Sequence, residues 1–387
     1  MRIKSSIFFI LCLALLICSA CEEPVSQSKF EDTTKLWPAA DSTGEKVGYI
    51  NEYGEMVIPA QYQKAYFFSC GMAKVITFDK QIQFIDKQGK VVYTLPEYTG
   101  CDDYFYNGYI RYYQYNMYGR IPQCGLFDKN FKDVIPFGFL EVGNMSKEGL
   151  VATGVGYFNT NGERVLTFNA DTFDIYNGTI YTYGDFCDGV AVVNLMCMND
   201  GVSHGRVCAI NTSGEWIIDT VYIQLRSLGG GLLAYMDSTA LWGLIDTHNN
   251  IVTEPKYYDV GVFEDNDLLA VGCQYGQWGY VDHTGTMKIE PRFRYCEPFH
   301  EGVAWVADEN YFYSLIDTNG NVLINLDRGV YPTMDFHNGM TCITDYNTYV
   351  NKYIDKDNNV IYSWNAKEGY GFYPRLIPSR FPKNEHN

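Results

Sequence analysis

A four-residue turn opening with Asp or Asn recurs nine times in this chain. It reads NEYG at 51–54, DKQG at 86–89, DKNF at 128–131, NTNG at 159–162, NTSG at 211–214, DTHN at 246–249, DHTG at 282–285, DTNG at 317–320 and DKDN at 355–358. The fourth positions lie 35, 42, 31, 52, 35, 36, 35 and 38 residues apart, a period near 35 with one insertion between Gly162 and Gly214. Such a period admits few folds, because each copy is one small unit that must stack on its neighbours to bury a core.

The residues of the turn have a chemical reason. An Asp or Asn side chain can bond the backbone two residues on and so start a turn. Gly or Asn at the fourth position suits a left-handed backbone, and a type I turn closed in this way joins two antiparallel strands. Phe131 breaks the rule, and its turn is expected to be rearranged. The flanks alternate as hairpin strands do: Tyr280 and Asp282 about Val281 before the turn, then Met287 and Ile289 about Lys288 and Glu290 after it. Pro59, Pro96, Pro136, Pro255 and Pro291 are expected to stop the second strand, since proline cannot donate to a ladder. A second phrase follows most hairpins: FSCGMAKV (68–75), FYNGYI (105–110), FCDGVAVV (186–193), FHEGVAWV (299–306) and FHNGMTCI (336–343). An aromatic, a Gly turn and an apolar run predict a third strand, giving ~35-residue, three-stranded units.

Trp242-Gly243 and Trp278-Gly279 open their units, and the pattern Gly-aromatic-Ile/Val-Asp-x-x-Gly, then Pro, then Phe-x-x-Gly-Val-Ala-x-Val resembles the bacterial WG-repeat family. The resemblance spans Val47 to Trp364. Other units show Val47-Gly48, Cys124-Gly125 or Val155-Gly156, and one has Gln83-Phe84 without glycine. It implies an all-β repeat array on exported or surface proteins and brings no catalytic site, because the motif is structural.

About nine such units predict an all-β, propeller-like or toroidal domain over 42–365, with an open β-solenoid as the alternative; closure removes sheet edges that invite aggregation. The last unit lacks a third strand of its own; the region before Val47 is a candidate to pair with it, and a capping unit is the alternative. Residues 366–387 read as an irregular tail. Aromatic residues make up 16% of the chain and favour pleated surfaces. The net charge of −17 repels phosphate backbones and argues against a nucleic-acid partner.

The first 20 residues carry Arg2 and Lys4, an apolar run from Ile7 to Ile17 and small residues before Cys21, the layout of a secretory signal. The run is short of the roughly 20 apolar residues that span a bilayer. CSAC resembles a bacterial lipobox, with Cys18 where Leu is usual, which makes Cys21 the expected lipid attachment site. The following Glu-Glu resembles the surface-export signal of Bacteroidota lipoproteins. Residues 21–41 then read as a tether. The expected location is the outer membrane or cell surface, with a periplasmic or secreted protein as the alternative.

Candidate chemistry is sparse. Cys197 and Cys208 flank a loop and are a possible disulfide. Cys208 and Cys342 also read as core residues within apolar strands. No CxxC spacing suggests zinc. His300 and His337 share the FHxG phrase in successive units, and His248 and His283 lie in adjacent hairpin turns; turn positions explain both pairs better than a metal does. The turn aspartates lack the tight ligand spacing of a calcium loop. Neither metal nor cofactor is expected, and no catalytic residue is assigned. Acid pairs from separate loops leave no signature, so a hydrolase acting on polysaccharide or cell wall stays open. The densest run of tyrosine, 97–120, makes Tyr104, Tyr109 and Tyr113 candidates for ligand contact. Cross-strand pairing is the competing role. The resulting expectation is a non-enzymatic, lipid-anchored module that binds or scaffolds a protein or glycan at the cell envelope, with a purely structural envelope protein as a further alternative.

Overall fold

The computed structural model describes residues 34–114, 123–167, 180–199, 202–219, 221–264, 268–274 and 276–365. They form nine small antiparallel sheets arranged in a ring, a β-propeller. Blades 1 to 9 span 37–62, 64–94, 99–139, 150–166, 180–218, 224–257, 259–293, 295–325 and 330–365. Seven blades have four strands; blades 1 and 4 have three. The expected three-stranded unit therefore falls short by one strand. The missed strand is the first of each four-stranded blade, and in blades 7 and 8 it is only two residues long, Asp259–Val260 and Tyr295–Cys296. Two residues cannot show an alternation, so sequence periodicity does not find them. The FxxG phrase is the turn between the first two strands of one blade, and the sequence repeat thus crosses the seam between blades.

All nine Asx turns form. Each opening Asp or Asn accepts, through its side-chain oxygen, the amides two and four residues on, as Asp282 does from Thr284 and Thr286 at 2.9 and 3.0 Å. The fourth residue is left-handed throughout, from Gly54 (φ 79°) to Asn358 (φ 64°). Phe131 adopts the same turn at φ 60° and is not rearranged. Its ring stacks on Tyr93 at 3.9 Å and meets Phe84 and Phe105, and this contact offsets the ~1 kcal/mol of backbone strain.

The prolines do not all end their strands. Pro96 follows Val91–Thr94, as expected. Pro291 lies inside Met287–Phe293, and Pro59, Pro136 and Pro255 lie likewise inside the last strands of their blades. Those strands are sheet edges, where a missing amide is tolerated. At each of these prolines the ladder bulges. Trp278 pairs with Phe293 and Tyr280 with Ile289, so the fourth strand folds over Gly279. A Cβ on Gly279 would meet the Ile289 carbonyl oxygen at 2.4 Å. Where Gln83, Ser314 or Lys352 replaces this glycine, the fourth strand carries no proline and no bulge at that point. The glycine of the repeat is thus the partner of a bulge.

Each seam between consecutive blades holds one apolar cluster. Tyr49 and Ile58 pack on Phe68 and Val75 between blades 1 and 2, and Val303 and Trp305 pack on Phe336 and Ile343 between blades 8 and 9. The ninth cluster joins the last blade to the first: Trp37, Ala39, Ala40 and Ile50 against Met340, Cys342, Tyr353 and Trp364. An open spiral of nine blades has eight seams; this ring has nine. Buried tyrosines repeat the lesson. The hydroxyls of Tyr49, Tyr157 and Tyr280 donate to carbonyls of the next blade at Tyr66, Gly184 and Glu297. The Tyr353 hydroxyl makes the corresponding bond to the Pro38 carbonyl at 2.8 Å, across the join. The first strand, Trp37–Ala40, is fully buried although it lies within the stretch read as a tether, 21–41.

Candidate functional site

The sequence candidates occupy structural positions. Tyr104 is 4% exposed and fills the cluster between the first and last blades, so it cannot serve as a surface contact. Tyr109 packs against the seam of blades 3 and 4. Tyr113 lies over Gly100, with its hydroxyl 3.5 Å from the Cys101 carbonyl. Their hydroxyls notwithstanding, these tyrosines serve β-packing. The Cys197–Cys208 disulfide does not form: the ladder sets Cys197 opposite His204 and Cys208 opposite Val193, and Cys208 is a buried free thiol. Cys342 is also buried, as a core residue. His283 stacks on Phe263 and its Nδ1 lies 2.9 Å from the Gly230 carbonyl oxygen. His337 lies edge-on to Phe67. His300 lies beside Asp335 of the neighbouring blade. Among the described residues no group of three or more His, Cys, Asp or Glu side chains could hold a metal. Cys21 lies outside the described residues.

A cavity of about 550 Å³ opens where blades 8 and 9 meet, lined by Asn310, Tyr311, Phe312, Tyr313, Arg328, Gly329 and Tyr331. One wall is the turn between the second and third strands of blade 8. Asp308 shapes it by accepting the Asn310 and Phe312 amides, both at 2.9 Å. That turn places Tyr311 in the left-handed region at φ 59°, with 53% of its surface exposed. The Arg294 guanidinium sits 5.9 Å from the Tyr311 ring centre, and its Nε donates to the phenol oxygen. The other wall is the entry to blade 9. The Tyr346 amide donates to the Gly329 carbonyl at 2.9 Å and Asn347 Nδ2 to the Arg328 carbonyl at 2.8 Å, fixing that backbone. Tyr313 meets Tyr331 edge-on at 5.7 Å, and Tyr331 meets Tyr346 at 5.5 Å, so aromatic rings run continuously across the seam. The Arg328 guanidinium is exposed and makes no ion pair among the described residues.

The same seam holds a carboxyl pair. The Tyr295 hydroxyl donates to Glu297 Oε1 at 2.5 Å, and Asp335 Oδ2 lies 3.5 Å from His300 Nε2. Burial raises the Glu297 carboxyl above the ordinary carboxylate range, to about 7, and the Asp335 charge adds to this; Tyr295 and His300 oppose it. The protonated form is thus favoured in the folded chain. Its stabilising contribution is present below the unfolded value and is lost as pH rises through about 7. Relative to Glu297→Gln, the native protein is expected to lose on the order of 3 kcal/mol between about pH 4 and pH 8, read from urea unfolding at each pH. A constant difference would contradict the assignment.

Neither the cavity nor the pair carried a usable sequence signal. The run YFY at 311–313 was visible, but nothing in it separates ring faces left open from rings packed inward.

Four segments, 48–76, 84–118, 242–272 and 278–312, match the family described as WG containing repeat. The chain carries WG repeats. No curated protein matches it. Among solved structures, this WG-repeat propeller is similar to a eukaryotic initiation factor, at 12% identity and TM-score 0.58, over 85% of this chain and 96% of the other. BamB from Moraxella catarrhalis aligns at 11% identity and TM-score 0.32, covering 88% and 97%. The β-propeller domain of the Trilobed protease from Pyrococcus furiosus aligns at 11% and 0.36, covering 76% and 98%. At these identities the first likeness speaks to the fold alone.

Proposed function

We propose that this WG-repeat propeller is an exported, lipid-anchored binding module of the cell envelope, which recognises a protein or glycan at the aromatic cavity between blades 8 and 9. The observation carrying this reading is that cavity, whose ring faces stand open on a scaffold held by nine packed seams. Rigid strands with ligand residues on loops are the ordinary arrangement of a recognition site. Export and anchoring rest on the signal-like leader and Cys21.

The test has two arms. Substituting Cys21→Ala should move the protein from the membrane fraction to the soluble one. The purified mature chain should bind saturably to members of a glycan or envelope-protein panel without turnover, and Tyr331→Ala should abolish that binding. Persistence of the membrane fraction after Cys21→Ala, or binding indifferent to Tyr331, would count against the reading. A second reading, a polysaccharide hydrolase, is favoured by the Glu297 carboxyl, which burial and then the Asp335 charge raise to about 7. Product release lost in Glu297→Gln would establish it instead.

A further inference from the structure

We infer that the cavity between blades 8 and 9 is selective for an acidic oligosaccharide, bound by ring stacking with its carboxylate on Arg328. The inference rests on the binding-module reading above and narrows it to a ligand class. Two observations carry it.

The first is the lining. Its seven residues include no aliphatic side chain: Tyr311, Phe312, Tyr313 and Tyr331 supply flat rings, and the tyrosine hydroxyls, Asn310 and Arg328 supply polar groups. Flat apolar faces edged by hydrogen-bonding groups match a pyranose, which has apolar C–H faces and a rim of hydroxyls. The rings continue beyond the cavity to Tyr346, 47% exposed, and Tyr349, 40% exposed, so more than one sugar unit finds a surface.

The second is charge. The chain as a whole carries −17, yet the guanidinium at the cavity wall is unpaired among the described residues. The neighbouring Asp308 carboxylate is occupied in capping its turn, and Arg294 is engaged by Tyr311. A planar guanidinium in this state fits a carboxylate in two parallel hydrogen bonds.

The probe is an oligogalacturonate and its fully methyl-esterified form, which share a backbone and differ in charge, titrated calorimetrically into the mature chain. The acid form should bind about tenfold or more tightly than the ester, in line with a charge-assisted pair. Arg328→Ala should abolish that preference, so that the two forms bind alike. Tyr311→Gly should weaken both forms while its melting temperature equals or exceeds that of the parent, which separates loss of binding from loss of fold. Equal affinity for the two forms, or a preference that survives Arg328→Ala, overturns the inference. Failure of both forms to bind overturns it as well. If a protein or neutral glycan partner is then still captured through Tyr331, the binding-module reading stands without it.

Discussion

Trp37→Ala should destabilise the propeller by about 3–5 kcal/mol, the range for truncating a fully buried large aromatic. Trp37 is 1% exposed, and its Nε1 donates to the His337 carbonyl at 3.0 Å, linking blade 1 to blade 9. The loss is therefore concentrated at the seam that closes the ring. Blade 1 has no first strand among the described residues, and Phe67, Tyr104 and Met334 pack around Trp37 at that seam. Removing the indole leaves a cavity among residues drawn from four blades, which cannot collapse together without shifting the ring. In urea unfolding the midpoint should fall sharply, and limited proteolysis should cut first within blades 1 and 9. A loss below about 1 kcal/mol would mean that the last seam contributes little to stability.

Gly279→Ala should cost about 3 kcal/mol, although it adds a single methyl group. The Cβ would lie 2.4 Å from the Ile289 oxygen and 2.9 Å from the Pro291 nitrogen, both backbone atoms that cannot rotate aside. The bulge must open, and with it the edge strand that covers the seam to blade 8. Gly71→Ala is the control. Its φ is +77°, but no atom lies within 4 Å of the new Cβ, so only the left-handed backbone penalty of about 1 kcal/mol applies. Thermal or urea melts of the two variants separate the effects. Equal costs would show that backbone conformation, and not the overlying bulge, dictates the glycine of the repeat.

These two predictions mark what the sequence could and could not disclose. The turns were legible in full because Asp or Asn at the first position acts on its own backbone, a local effect independent of the fold. The third strands were legible because residues such as Val281 and Tyr280 alternate over several positions. The first strands were not, since two residues such as Tyr295 and Cys296 carry no period. The role of the WG glycine was hidden as well: its reason is a strand ten residues away, folding over it. Phe131 shows the converse, a local rule overridden by a stack of aromatic rings that only tertiary structure assembles.

The candidate site was less legible than the fold. Tyr104 and Tyr311 are the same residue type in similarly aromatic surroundings. One is buried in the join of the ring and the other stands half open beside Arg328. The difference lies in which end of which blade each occupies, and that is fixed by packing between units that sequence treats as equivalent. The raised Glu297 carboxyl, buried beside the Asp335 charge, arises in the same way, from two blades meeting rather than from any motif.

The central claim is that nine blades close on themselves, the last sheltering the first. A pulsed-EPR distance between encoded spin labels at Tyr53 and Ile361 tests it directly, because a Cβ on Gly54 would lie 2.3 Å from the Ile361 carbonyl oxygen across the join. The control pair is Thr284 and Val252, which occupy the same turn and strand positions at the ordinary seam between blades 6 and 7. A single short distance matching the control is the predicted result. A long or broad distribution at Tyr53 and Ile361, with the control still short, would contradict closure.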